Sequence, residues 1–174
     1  MTRAARLGLL GAAGVLALCM SSALSTTPRL IWNATASVPE GLYSVQFDAP
    51  IRVGDLVAVA PPQGLGAWLD RRGYLPAGAL LIKRTAAVAP SRVCRTGDIV
   101  TVDEVTVALA ASRDRAGRAL PDWSGCQRLG AEDVFLINAA PGSLDSRYFG
   151  SLPRAAVVGR VTPRWLVSER RDAR

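Results

Sequence analysis

The chain has 174 residues, enough for one domain with a real core and too few for two ordinary ones once an apolar N-terminal stretch is set aside. It carries 21 Lys plus Arg against 14 Asp plus Glu, a formal charge of +7, yet the basic residues are scattered without interleaved aromatics, which argues against a nucleic-acid-binding module. There is no His at all, which removes Ser-His-Asp and Cys-His catalysis and every His-ligated metal site.

Arg3 and Arg6 open the chain, and Leu7 to Ser25 follow without a single charge. At ~1.5 Å per residue a helix of this length nearly spans a ~30 Å hydrocarbon core. The pattern predicts a cytoplasmic N-terminus over residues 1–6 and a transmembrane helix over residues 7–25. By the positive-inside rule the remainder then faces the periplasm, which places the protein in a bacterial inner membrane with a single pass. A cleaved secretory signal is the rival reading, although the apolar run is long for a signal core of roughly 7–15 residues. Lipid attachment at Cys19 is disfavoured by the bulky Leu18 before it. Leu30, Ile31 and Trp32 suit the membrane interface and ordinary packing equally well.

Beyond the apolar stretch the chain reads as short extended runs bounded by Gly, Pro and Asp. Strands are expected at Asp55–Ala60, Ala79–Arg84, Asp98–Val102, Glu104–Ala110, Val134–Asn138 and Ala156–Val161. Gly64 to Arg72 is the one expected helix, stopped by Gly73 and Pro76. Ala111 to Gly125 reads as a solvent-exposed excursion. These elements predict an all-β domain over residues 26–165, with a polar tail over residues 166–174. Export makes the compartment oxidising, so Cys94 and Cys126, the only cysteines past the apolar stretch, are expected to form a disulfide that pins the excursion. In the chain-entropy model such a link is worth ~3–4 kcal/mol. Two thiols without C-x-x-C spacing leave no metal site, and no cofactor motif is present.

Three segments carry chemistry. The first is N-A-T-A-S-V-P-E-G-L-Y, Asn33 to Tyr43, where Ser37 falls in a turn-rich stretch that can expose a hydroxyl. The second is L-L-I-K-R-T, Leu80 to Thr85. Of the 21 basic residues 20 are Arg, and the only Lys is Lys83. Arg and Lys are interchangeable as surface charge, but only Lys loses its proton at accessible cost when buried, so a lone Lys in an Arg-rich chain suggests proton transfer. Strand alternation puts Lys83 on the face opposite Ile82 and Arg84. The third is P-G-S-L-D-S-R-Y-F-G, Pro141 to Gly150, in which Asp145 and Arg147 can form a local ion pair.

In order and local sequence the three segments resemble the signal peptidase I clan, most closely the conjugative-transfer signal peptidases of the TraF type. The resemblance covers residues 1 to about 162 and implies a mostly antiparallel β fold behind a membrane anchor. It implies Ser37 as nucleophile, Lys83 as general base, Thr35 as a hydroxyl lining the oxyanion hole, Ser143 as a hydroxyl near the Lys amine, and Asp145 and Arg147 as supports. Val38 after the nucleophile and the incomplete opening of the last segment depart from the housekeeping pattern and favour the conjugation branch. In that branch Asp145 is expected to bear more directly on activity. The implied substrate is a membrane-inserted precursor, a propilin, met at the lipid surface; whether the acyl-enzyme is released by water or by an amine of the pilin is left open. The alternatives are a housekeeping signal peptidase acting on exported proteins, and a non-catalytic membrane-anchored β-domain that binds a secretion partner.

Overall fold

The computed structural model describes residues 29–167, so the stretch expected to be an anchor and nearly all of the expected tail lie outside the described residues. No helix among the described residues is long and apolar enough to cross a membrane. The described chain is built from strands β1 (Leu30–Asn33), β2 (Gly41–Gln46) and β3 (Leu56–Val59), helix α1 (Gln63–Arg71), and strands β4 (Leu81–Val88), β5 (Arg92–Thr96), β6 (Ile99–Val102), β7 (Val105–Leu109), β8 (Gly125–Arg128) and β9 (Asp133–Leu136). A one-turn helix α2 (Ser146–Phe149), strand β10 (Leu152–Pro153) and strand β11 (Val157–Leu166) complete it.

The strands form a seven-stranded sheet in the order β1-β2-β11-β3-β4-β9-β10 and a four-stranded sheet in the order β7-β6-β5-β8. Every strand pair within the two sheets is antiparallel, and the fold is mostly β as expected. The large sheet is buried on both faces where β3 and β4 cross it. Ala58 and Ile82 join Tyr43, Val45 and Val161 in one apolar cluster. Val57 and Val59 join Val134, Leu136 and Leu152 in another. This is why β3, L-V-A-V, reads as a continuous apolar run, whereas β2 alternates inward Tyr43 and Val45 with half-exposed Leu42 and Ser44. The small sheet is tied to the large one through a third cluster, in which Val93 and Val100 meet Phe135, Ile137 and Tyr148.

Several elements differ from the sequence reading. Strands β1, β2, β5 and β8 flank the motifs or carry charged residues, and their apolar periodicity is too short to announce them. Strand β11 runs to Leu166, past the expected limit. Cys94 and Cys126 are joined, but as a cross-strand pair between β5 and β8, so the link closes only one end of the 111–125 excursion. That excursion is exposed for most of its length, yet it is not free. Trp123 packs against Phe135 at 6.1 Å, and Tyr74 donates a hydrogen bond to Asp114.

Two glycines permit the close approach of β2 and β11. Gly41 has a φ of +151°, and a Cβ there would lie 2.1 Å from the Trp165 carbonyl oxygen. A Cβ on Gly159 would lie 2.6 Å from the Gln46 carbonyl oxygen and 2.9 Å from Val45 Cγ1. Because the first of these contacts is backbone, Gly159→Ala must part the strands and is expected to destabilise the domain by about 1–3 kcal/mol. Thermal unfolding followed by circular dichroism checks this; a midpoint equal to wild type would show that β11 can shift without cost.

Candidate active site

Ser37 lies in the turn between β1 and β2, and a buried asparagine builds that turn. The Asn33 side-chain amide reaches the carbonyls of Thr35, Val38 and Pro39 at 2.8, 3.1 and 3.0 Å, while its oxygen accepts from the Thr35 N–H and the Thr35 hydroxyl at 3.2 and 2.9 Å. Tyr43 adds a hydrogen bond from its hydroxyl to the Pro39 carbonyl at 2.6 Å. The chain is thereby folded so that Val38 points into the core and Ser37 stays half-exposed. Thr35 Oγ1 lies 3.3 Å from Ser37 Oγ. Because the single Thr35 hydroxyl hydrogen is directed at Asn33, Ser37 is the donor in that pair. An oxyanion-binding role for Thr35 therefore requires its hydroxyl to turn away from Asn33.

Lys83 occupies the middle of β4, opposite Val57 of β3, and is only 4% exposed. Its Nζ donates to Ser143 Oγ at 2.8 Å, a contact across 60 residues of chain. Burial disfavours the ammonium and is the largest influence on this group; the Asp145 carboxylate opposes it and the Arg147 guanidinium adds to it. The net effect lowers the Lys83 pKa from 10.5 to about 8. An amine of that character holds an appreciable neutral fraction near neutral pH, as a general base must. Among the described residues no hydrogen bond joins Lys83 to Ser37. What links their supports is packing: Val38 and Ile82, each adjacent to one of them, belong to the same apolar cluster.

Asp145 and Arg147 form a fully buried ion pair, with Arg147 Nε 2.8 Å from Asp145 Oδ1. Both carboxylate oxygens are engaged, Oδ1 by the Arg147 N–H and Nε, Oδ2 by the Asn138 N–H at 3.0 Å and by Arg147. Among the described residues no hydrogen bond joins Asp145 to Ser37 or Lys83, so its reach to Lys83 is electrostatic. Arg147 also donates to the carbonyls of Asn138 and Pro141, fixing the two ends of the loop that carries Ser143. Arg95 and Trp123 hold the other side of this ion pair through the Arg147 carbonyl at 3.0 and 3.2 Å. The sequence reading missed Asn33, Asn138 and Tyr43; buried polar side chains at strand ends carry no periodic signal, and only the hydrogen bonds reveal them.

The geometry can be set beside known proteins. The family model described as signal peptidase, peptidase S26, matches residues 3–166. A relative from Sinorhizobium fredii named "Probable conjugal transfer protein TraF" is 42% identical over 73% of this chain and 72% of its own length. The conjugal transfer protein TraF of Agrobacterium fabrum is 33% identical over 94% of this chain and 97% of its own. A plasmid transfer protein TraF from Escherichia coli is 35% identical over 75% and 79%. A signal peptidase I structure from Enterococcus faecalis aligns with 67% of this chain and 100% of its own at 18% identity, with a TM-score of 0.36, too slight an overlap to bear on the reading.

The depressed Lys83 pKa has a consequence for stability. The unfolded chain, with its Lys near 10.5, binds more protons than the folded one between about pH 8 and 10.5, so this group makes stability rise with pH across that window and withholds it below. Lys83→Met is expected to flatten the rise and to stabilise the fold at pH 7 by roughly 3 kcal/mol, the cost of the buried charge at 1.36 kcal/mol per pH unit. Thermal unfolding at pH 7 and pH 10 checks it, and a Met variant that is less stable than wild type at both would contradict it.

Proposed function

The chain belongs to the signal peptidases of the peptidase S26 family, and from that premise we propose that it cleaves a membrane-inserted propilin during conjugative transfer, with Ser37 as nucleophile and Lys83 as general base. The carrying observation is that the only Lys of the chain is buried beside Ser143 with a pKa near 8, in the strand next to the core shared with the Ser37 turn. The names of the relatives support the conjugation branch over the housekeeping one.

In this mechanism neutral Lys83 takes the Ser37 proton as Oγ attacks the scissile carbonyl, and the tetrahedral oxyanion is met by backbone N–H groups. The Ser37 N–H suits this, since no acceptor among the described residues is paired with it. Collapse of the intermediate breaks the peptide bond, and the Lys83 ammonium returns the proton to the departing amine. Ser143, accepting from Lys83, keeps the amine aimed while it changes charge. Lys83 then activates the nucleophile that opens the ester, water or a second amine, and restores Ser37. The periplasmic face of the inner membrane is the proposed place of action, with residues 7–25 as the anchor.

Processing of a propilin precursor in membranes tests the dyad. Ser37→Ala and Lys83→Arg, each folded by circular dichroism, are expected to lower cleavage by about 10³-fold or more, because Arg keeps the charge and cannot act as a neutral base. Wild-type cleavage should rise about tenfold per pH unit up to pH 8 and then level, as one proton leaves the base. An Arg variant that cleaves at the wild-type rate would remove Lys83 from the mechanism, whereas a folded wild-type chain that leaves the precursor uncut would favour a non-catalytic binding domain.

A further inference from the structure

The β4–β9 ladder ends unusually beside Lys83. Thr85 pairs with Leu136, and the Ile137 N–H still reaches the Arg84 carbonyl at 2.9 Å. Extending that register by two residues sets Asn138 opposite Lys83. There the backbone of Asn138 leaves the sheet: its N–H goes to Asp145 and its carbonyl receives Arg147. The side chain crosses to β4 in its place. Asn138 Oδ1 accepts from the Arg84 N–H at 2.9 Å, and Asn138 Nδ2 donates to the Ile82 carbonyl at 3.1 Å. These two groups bracket Lys83 along the strand. A single side-chain amide thus supplies the acceptor and the donor that a continuing strand would have offered. Asn138 is 2% exposed and all four of its polar groups are engaged.

We propose that Asn138 is a positioning residue for the reaction, a clamp on the Lys83 peptide that couples the base to the Asp145–Arg147 pair and sets where its amine points. The inference rests on Lys83 being the base. Only an amide satisfies both strand groups. An ionised carboxylate of the same shape could accept from Arg84 but would face the Ile82 carbonyl, acceptor against acceptor, and would add a negative charge near Lys83, on which Asp145 and Arg147 are the charged influences among the described residues.

Because Lys83 is the only Lys, the full chain grown with lysine labelled with ¹³C at Cε gives one ε-carbon resonance, whose titration reports this amine alone. The experiment compares wild type, Asn138→Ala, Asn138→Asp and Lys83→Met by that titration and by precursor processing. Asn138→Ala is expected to lower kcat by about 10- to 100-fold with KM held within about twofold, the signature of a misplaced group. Asn138→Asp is expected to move the Lys83 titration, and with it the acidic limb of the rate profile, to higher pH, and as an isosteric variant it carries the test should the Ala variant not fold. Wild-type kcat, rate profile and Lys83 titration in a folded Asn138 variant would overturn the proposal while leaving the base in place. Retained cleavage by Lys83→Met would instead overturn the base.

Discussion

The constraint on which this structure turns is the exclusion of one amine from water. A charged ammonium has three hydrogens to place, and among the described residues Lys83 finds one acceptor for them, Ser143. An unmatched buried charge is costly, so the environment shifts the balance toward the neutral amine and lowers the pKa to about 8. A carboxylate nearby would ordinarily reverse that preference by pairing with the ammonium. Here Asp145 is spent on Arg147 and on the Asn138 N–H, and the Arg147 charge opposes its pull on Lys83. Desolvation therefore wins, and it wins because the buried ion pair is nearly neutral as a unit. Asp145 and Arg147 hold the loop bearing Ser143 without turning Lys83 into a permanent cation.

Two buried asparagines divide the remaining work. Asn33 gathers the carbonyls of the Ser37 turn, and Asn138 replaces strand backbone beside Lys83. Each acts where regular pairing stops, and each has the same advantage: an amide offers a donor and an acceptor in one rigid plane and carries no charge. A charged group in place of Asn138 would add a field of its own next to Lys83, whose pKa is lowered chiefly by burial. Neutral clamps fix the backbone and leave the electrostatics to Asp145 and Arg147. Packing joins the two halves, because Val38 and Ile82 share a core with Tyr43 and Val161.

The sequence singled out candidate residues more readily than the scaffold that holds them. Lys83 stood out because it is unique, and Ser37, Ser143, Asp145 and Arg147 lie in short segments whose order matters more than their spacing. The central strands β3, β4 and β9 were legible as apolar runs since they are buried on both faces. Strand β5, R-V-C-R-T, was not. Its inward Arg95 is buried only because it donates to the Arg147 carbonyl and pairs with Asp122, partners 52 and 27 residues away. Asn138 was read as the last residue of a strand and nothing more; its role depends on bonds to residues 56 and 54 positions earlier. Local periodicity carries no information about such long-range polar pairing.

Among the described residues Ser37 and Lys83 are each engaged elsewhere and share no hydrogen bond with one another. The Ser37 hydroxyl leans toward Thr35 while the Lys83 amine leans toward Ser143, so each of these groups is held by a neighbouring hydroxyl. Ser37 is half-exposed and Lys83 is buried, so under the proposed dyad an extended substrate would cover the hydroxyl without having to open the core around the amine. Catalytic hydrogen bonds often tighten only once substrate excludes water from them. Under the dyad reading, a precursor lying across the Ser37 turn would dehydrate the hydroxyl, draw it off Thr35 and toward the base, and free Thr35 to meet the developing negative charge if its own hydrogen left Asn33. Activity would then depend on a substrate segment long enough to seal that turn, which limits attack on stray peptide bonds in a compartment full of exported protein.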